Sequence, residues 1–379
     1  MGWEVGTLED RRLEFVHLCE SGGLGMRALC KRFGVSAPTG YKWLARHRAG
    51  DSLCDRPRCP KSSPGQTSPL MEGLVVSARS EQPTWGGRKL RRVLLDDGVN
   101  GPPSASTVTR ILRRKGLLDG PGAGEPQGWQ RFERESPNEL WQMDFKGHFP
   151  TLGGRCHPLD LLDDHSRYCL CLQACTDEKG ATVRGHLDDT FRRYGLPAAL
   201  LCDNGGPWGG SGVFTELAVY LMRLGVRLLH GAPYHPQTQG KLERFHRTLD
   251  ADVLQGKVWA HVHDCQRAFG AFRSVYNLKR PHDSLGLATP ASRYRPSLVP
   301  FPDKLAPVEY NATQRVRSVQ KGGSINLDGK EHRVGEGLKG QRVGVSPTDV
   351  DGVLEVRFVN TLVRTLDLRN NDRKDVGNV

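Results

Sequence analysis

The chain has 379 residues and carries 54 Lys+Arg against 42 Asp+Glu, a formal net charge of +12. That length holds two to four domains, and the positive excess suits a polyanionic partner. No apolar run reaches the ~18 residues of a membrane span, and the charged start "MGWEVGTLEDRR" lacks the apolar stretch of a secretion signal, so neither a membrane protein nor an exported one is expected.

The ten cysteines are scattered and form no matched CxxC pairs. They read as reduced thiols in a cytosolic protein rather than as a zinc or disulfide scaffold.

Residues 8–50 are expected to form helices separated by glycines, with Leu13, Val16 and Leu18 marking the first. In "MRALCKRFGVSAPTGYKWLARHRAG", Leu29 and Phe33 share a face, Gly34 makes a turn and Ser36 can cap the last helix. That helix carries Lys42, Arg46 and Arg48 around Tyr41, Trp43 and Leu44. Helix, glycine turn and basic helix is the helix-turn-helix pattern, whose last helix enters the major groove. The alternative is a plain helical hairpin. Residues 51–69, rich in Pro and Ser, are expected as a linker.

Residues 70–118 repeat the logic as a second helix-turn-helix-like unit. Ser104 or Ser106 can cap its last helix, Val108, Ile111 and Leu112 face inward, and Arg110, Arg113 and Arg114 point out as DNA contacts. A charged solvated face is the alternative. Residues 119–136 form another linker.

From residue 137 the pattern changes to α/β, continuing to about 300. "LWQMDFKG" alternates strictly, with Gln142, Asp144 and Lys146 on the polar face of a strand. "CHPLDLLDDHSRYCLCLQACTD" reads as two strands joined at "DDHSR", with Asp160, Asp163 and Asp164 as turn formers or caps. Helix, strand, helix, strand and helix follow, giving a mixed sheet with helices on it. Asp203 ends one strand before a Gly-rich break, where a ligand can approach. On the last helix Leu242, Phe245 and Leu249 take the buried stripe, which leaves Glu243, His246 and Arg247 on the outer side. Residues 310–370 alternate in short stretches with Asp-Gly and Gly-Gly turns, predicting a small β-barrel-like domain of about five strands. Residues 371–379 are expected to be disordered.

Three carboxylates supply hard oxygen ligands suited to Mg²⁺ or Mn²⁺. Such ions can drive phosphodiester displacement while neighbouring bases hold phosphates. Spacing alone is a weak signal. "WQMDFKG", "CDNGG" and "HPQTQGKLERFHRTL", in that order, together with "DDHSRY" and "RPHDSLGLATPASRY", resemble the DDE transposases of bacterial insertion sequences and retroviral integrases.

The resemblance implies a multidomain protein. N-terminal all-α helix-turn-helix segments would precede a central α/β ribonuclease-H-like core and a C-terminal all-β domain. It implies Asp144, Asp203 and Glu243 as catalytic metal ligands, with two ions in the DNA-bound state. It also implies "HPQTQGK" as a mobile loop, and Lys241, Arg244 and Arg247 beside the triad as DNA contacts. The separations of 59 and 40 positions leave the second a little longer than in retroviral integrases, and the glycine-rich "GGPWGGSG" can absorb the difference.

The expected activity is binding of terminal inverted repeats, metal-dependent 3′-end cleavage and strand transfer. The protein would act as at least a dimer on double-stranded DNA, in the bacterial cytoplasm at the nucleoid. The rivals are a catalytically silent DNA-binding regulator and a nuclease that cuts without joining.

Overall fold

The computed structural model describes residues 7–56, 65–118, 133–209, 214–231 and 240–369. Residues 1–6, 57–64, 119–132, 210–213, 232–239 and 370–379 lie outside the described residues. The expectation of a disordered tail therefore falls outside them, as does that of a mobile "HPQTQGK" loop apart from Gly240 and Lys241, which begin a helix. The chain divides into a unit of residues 1–66 and a second of residues 67–379.

The first unit contains helices α1 (Leu8–Glu20), α2 (Met26–Phe33) and α3 (Ala37–Arg48). Thr7 and Asp10 close a capping box at the start of α1, and the Ser36 hydroxyl accepts the Thr39 N–H at the start of α3. Gly34 ends α2 at φ 66°, a conformation that glycine adopts without penalty. The core is Phe15, Val16, Leu29, Cys30, Trp43 and Leu44. Of the apolar residues that mark this helix, Val16 is buried while Leu13 and Leu18 are 42% and 40% exposed, because Phe15 and Val16 set the inward phase of α1.

In the second unit, α4 (Pro69–Glu81), α5 (Gly87–Asp96) and α6 (Ala105–Arg114) pack around Val75, Trp85, Leu90, Val108, Ile111 and Leu112. Ser104, rather than Ser106, accepts the Thr107 N–H and caps α6. Gly87 lets α5 press onto α6. A Cβ there would stand 2.4 Å from the Thr109 hydroxyl and 2.5 Å from the Ala105 carbonyl.

The α/β core follows in the expected order. It comprises strands β1 (Trp141–Phe145), β2 (Phe149–Thr151), β3 (Gly154–Asp163) and β4 (Cys169–Cys175), then α7 (Gly180–Tyr194), β5 (Ala199–Cys202), α8 (Glu216–Arg223), β6 (Arg227–His230), α9 (Gly240–Leu249), α10 (Val262–Leu278) and α11 (Pro290–Arg293). The sheet runs β4-β3-β1-β5-β6, with the short β2 on the start of β3. β3 is antiparallel to β1 and β4, while β5 is parallel to β1 and β6.

Helices cover both faces of this sheet. Trp141, Met143, Leu159, Leu161 and Leu200 pack with Val183, Leu187 and Phe191 of α7 and Leu217 and Leu221 of α8. On the other face Leu162, Cys169 and Leu172 pack under Leu242, Phe245 and Leu249 of α9 and Phe269, Phe272 and Tyr276 of α10. The polar face of β1 is therefore roofed. Gln142 is 1% exposed and donates to Asp164 Oδ1 at 2.7 Å.

The C-terminal part has six described strands rather than five. β7 (Arg315–Ser318), β10 (Arg342–Pro347), β11 (Val353–Phe358) and β12 (Thr361–Asp367) form one sheet, and β8 (Ser324–Leu327) pairs with β9 (Lys330–Arg333). Asp328 and Gly329, at φ 51° and 84°, make the tight turn between β8 and β9 that Asp-Gly predicts. Val219 of α8 and the ring of Phe214 pack into its core, so the β part is seated on the α/β core.

Candidate active site

Strand register brings two of the expected acids together. Trp141 pairs with Leu200 and Gln142 with Leu201, an offset of 59. Continued one turn of the pleat further, the same offset sets Asp203 abreast of Asp144. In-register residues on neighbouring strands share a face, with strands about 4.8 Å apart. On the other side of β1, Asp144 pairs directly with Asp160 of β3. Three carboxylates thus stand in a row across β3, β1 and β5.

The crowding shows in the charge of Asp144. Burial, then the carboxylates of Asp160 and Asp203, push its pKa up to about 7, with His246 opposing. Asp160 is fully buried, and its Oδ2 lies 2.7 Å from His246 Nε2. Burial raises the Asp160 pKa against the pull of His246. Burial disfavours a charged imidazole, but the Asp160 carboxylate outweighs it and raises His246 above its ordinary value. Both shifts run the same way, so the pair retains a proton.

Two expectations change here. Asp160 is no turn former but a mid-strand residue in the acidic row, whereas Asp163 does build the turn, accepting Ser166 N–H and O–H. His246 does not face outward. Positions 242, 245, 246 and 249 together make the i, i+3, i+4, i+7 stripe of a buried helix face, and His246 fills the i+4 place. That stripe, read in full, was the signal for it.

Asp203 itself is exposed, and its Oδ1 accepts the Trp208 indole N–H at 2.5 Å. Trp208 is 2% exposed and stacks on Phe145 with ring centroids 5.6 Å apart. The loop that carries it closes by a Gly205 N–H to Gly209 carbonyl bond, with Gly205 at φ 122°. Sequence reasoning passed over Trp208, taking its segment as spacer.

Glu243 is exposed in the first turn of α9. Lys241, two residues earlier, forms an ion pair with the buried Asp164 that pins the start of α9 to the turn between β3 and β4. Lys146 pairs with Asp250 at 2.7 Å and ties the end of β1 to the π-helical turn Asp250–Leu254 after α9. Among the described residues, no three His, Cys, Asp or Glu side chains are arranged to hold a metal ion. The donor set fits a hard divalent cation in its chemistry, because the row is all oxygen and the charge crowding at Asp144 is what such a cation relieves.

The expected DNA-contact residues divide. Lys42, Arg48, Arg110, Arg113, Arg244 and Arg247 are exposed. Lys42 lies over Trp43 at 5.0 Å, Arg48 is 3.8 Å from Glu20, and Arg110 donates to Thr107. Arg46 packs on Trp43 and donates to the Ser52 carbonyl, Arg114 pairs with Glu72 of α4, and Lys241 pairs with Asp164. Those three have internal structural partners. No described helix is long and apolar enough to cross a membrane.

Comparison with known proteins places these features. Residues 134–236 and 224–290 match two integrase core domain families, and residues 314–374 match the IS481 family transposase C-terminal domain. Residues 7–55 and 39–112 match homeodomain-like domains. The chain is 23% identical over 236 residues to the insertion element IS407 uncharacterized 31.7 kDa protein of Burkholderia multivorans, covering 61% of this chain and 82% of that protein. It is 32% identical over 113 residues to the Gag-Pro-Pol polyprotein of squirrel monkey retrovirus, covering 30% of this chain but only 6% of that polyprotein.

Among solved structures, a simian T-cell lymphotropic virus intasome in complex with PP2A regulatory subunit B56 gamma aligns over 78% of this chain and 96% of the matched chain, at 15% identity and a TM-score of 0.38. The catalytic core domain of BIV integrase aligns over 41% of this chain and 92% of its own, at 25% identity and a TM-score of 0.32.

Proposed function

We infer that this chain, a transposase of the insertion-sequence type with an integrase core and hence a polynucleotidyl transferase, cleaves and joins the ends of its own mobile element. The observation that carries this reading is the β1–β5 register, whose offset continued past Gln142 and Leu201 sets Asp144 beside Asp203, on the sheet face covered by α9, the helix to which Glu243 belongs.

In this reading Asp144, Asp203 and Glu243 would hold Mg²⁺ or Mn²⁺, two ions when DNA is bound, which would supply Lewis acidity for phosphodiester displacement. Trp208 fixes the Asp203 carboxylate from one side, and the Asp160–His246 pair secures α9 above Asp144. Water displaces the 3′ oxygen at the element's end, breaking one P–O bond as another forms. The freed 3′-hydroxyl then attacks a target phosphodiester, again exchanging one P–O bond for another. No Ser or Tyr of the protein becomes covalently linked to DNA.

The homeodomain-like segments would bind the terminal inverted repeats. Exposed Lys42, Arg48, Arg110 and Arg113 would contact that DNA, and Arg244 and Arg247 would contact it near the chemistry. Two ends must be held at once, so the working form is at least a dimer on DNA, in the bacterial cytoplasm at the nucleoid. The test is cleavage and joining of labelled end DNA. Asp203→Asn should abolish both while end binding persists, and unchanged joining in that variant refutes the assignment.

A further inference from the structure

The seam between α5 and the catalytic core gathers positive charge that internal ion pairs do not use up. Trp85, at the entrance to α5, packs in a cluster that includes Val275 of α10. Thr84 donates to Asp252 at 2.6 Å, and Arg88 pairs with Asp283 at 3.0 Å. Arg280, 8% exposed at the end of α10, pairs with Asp252 at 2.6 Å and lies 5.8 Å over the Trp85 ring. The two carboxylates of the seam, Asp252 and Asp283, are thus already engaged.

Lys89 and Arg244 remain. Neither has a carboxylate within ion-pair distance among the described residues, and the two lie within electrostatic range of each other and of Arg280. Burial, then Arg280, with Arg244 adding to it, bring the Lys89 pKa down to about 8. His282, whose ring packs edge-on against Tyr276 at 4.7 Å, faces the same cations and has a buried Nε2 with no hydrogen-bond partner. Burial, then Lys89 and Arg280, lower its pKa to about 3, so it is neutral. Holding a half-buried ammonium beside two guanidinium groups costs folding energy. An anion with several acceptor oxygens would offset that cost, and a backbone phosphate has that form.

We propose that Lys89 and Arg244, backed by Arg280 and His282, bind one DNA backbone phosphate and so fasten the duplex held by α4–α6 to the catalytic core. The site deepens the transposase reading and rests on it. It joins three elements: α5 of the DNA-binding module, α9 that carries Glu243, and the "RPHD" segment after α10. A phosphate bound there would set the register between the end sequence and the acids.

The experiment measures binding of the full-length protein to duplex carrying its element's terminal repeat, as a function of salt. Each phosphate contact contributes about 0.9 to the slope of log K against log salt. Because both act on one phosphate, Lys89→Gln and Arg244→Gln should each lower the slope by at most that amount, and the double variant by about 0.9 in all. Ethylation of a single phosphate should mimic either change. Lys89→Met, which keeps the aliphatic stem, guards against loss of fold.

Unchanged slopes, or additive losses that indicate two separate phosphates, would overturn the site while leaving the transposase reading intact. Failure of the wild type to bind end DNA would overturn both.

Discussion

His246→Ala should destabilise the catalytic core more than any other single change in α9. Asp160 is 0% exposed, its Oδ1 has no partner among the described residues, and its Oδ2 is held by His246 at 2.7 Å. Removing the imidazole leaves a buried carboxylate alone, which costs about 3–5 kcal/mol. Replacing both partners by apolar groups removes the charge as well as the bond, so Asp160→Leu/His246→Leu should recover most of that loss.

The chain is multidomain, so one global transition is not expected. The assay is therefore pulsed alkylation along a denaturant series, read by mass at Cys156, Cys169 and Cys265. All three are buried in the α9–α10 face of the core. A loss below about 1 kcal/mol in His246→Ala, or a double variant no more stable than the single, would refute the view of Asp160–His246 as a buried pair that anchors α9.

Three further outcomes follow from the geometry. Trp208→Phe keeps the ring on Phe145 but removes the donor to Asp203, so Mg²⁺ titrations of cleavage should show a requirement raised about 10- to 100-fold with little change in stability. Arg113→Ala should weaken DNA binding, whereas Arg114→Ala, which breaks the Glu72 pair, should cost about 1 kcal/mol of stability in the α4–α6 bundle by thermal unfolding. The third concerns Lys89, which faces Arg280, Asp283, Arg244 and Asp252. Its pKa is depressed, so the folded protein binds fewer protons than the unfolded chain between about pH 8 and 10.5, and stability contributed there rises with pH. A bound phosphate favours the protonated form, so DNA affinity should fall as pH rises past 8 in wild type and stay flatter in Lys89→Gln.

Much of this architecture was legible because the local signals agree with the global fold. Ser36 caps α3 and Ser104, one of two candidates, caps α6, the "LWQMDFKG" alternation is β1, and the Asp-Gly turn joins β8 to β9. The positions of Asp144 and Asp203 at strand ends were readable from pattern, but their adjacency needed the β1–β5 register, which no local signal contains.

The misreadings share one cause. Alternation tells which residues share a face, not what covers it. The roof of α9 and α10 turned the polar face of β1 into an interior, and so made Asp160 and His246 partners 86 positions apart. Internal partners of basic residues were hidden for a similar reason. Lys241 and Arg114 look solvent-bound in sequence, but each meets a shielded carboxylate from a distant segment, Asp164 and Glu72.

The central claim is that Asp144, Asp203 and Glu243 cut and join DNA, and one comparison tests it most directly. Purified wild type and Glu243→Gln are given labelled DNA with the element's ends, in Mg²⁺ or Mn²⁺, and scored for 3′-end nicking and for joining. The account predicts nicking and joining by the wild type, with both reduced about 10³-fold or more in the variant while end binding is retained, a loss of roughly 4 kcal/mol of transition-state stabilisation. Equal joining by the two proteins would contradict it, as would tight end binding by the wild type with no cleavage at all.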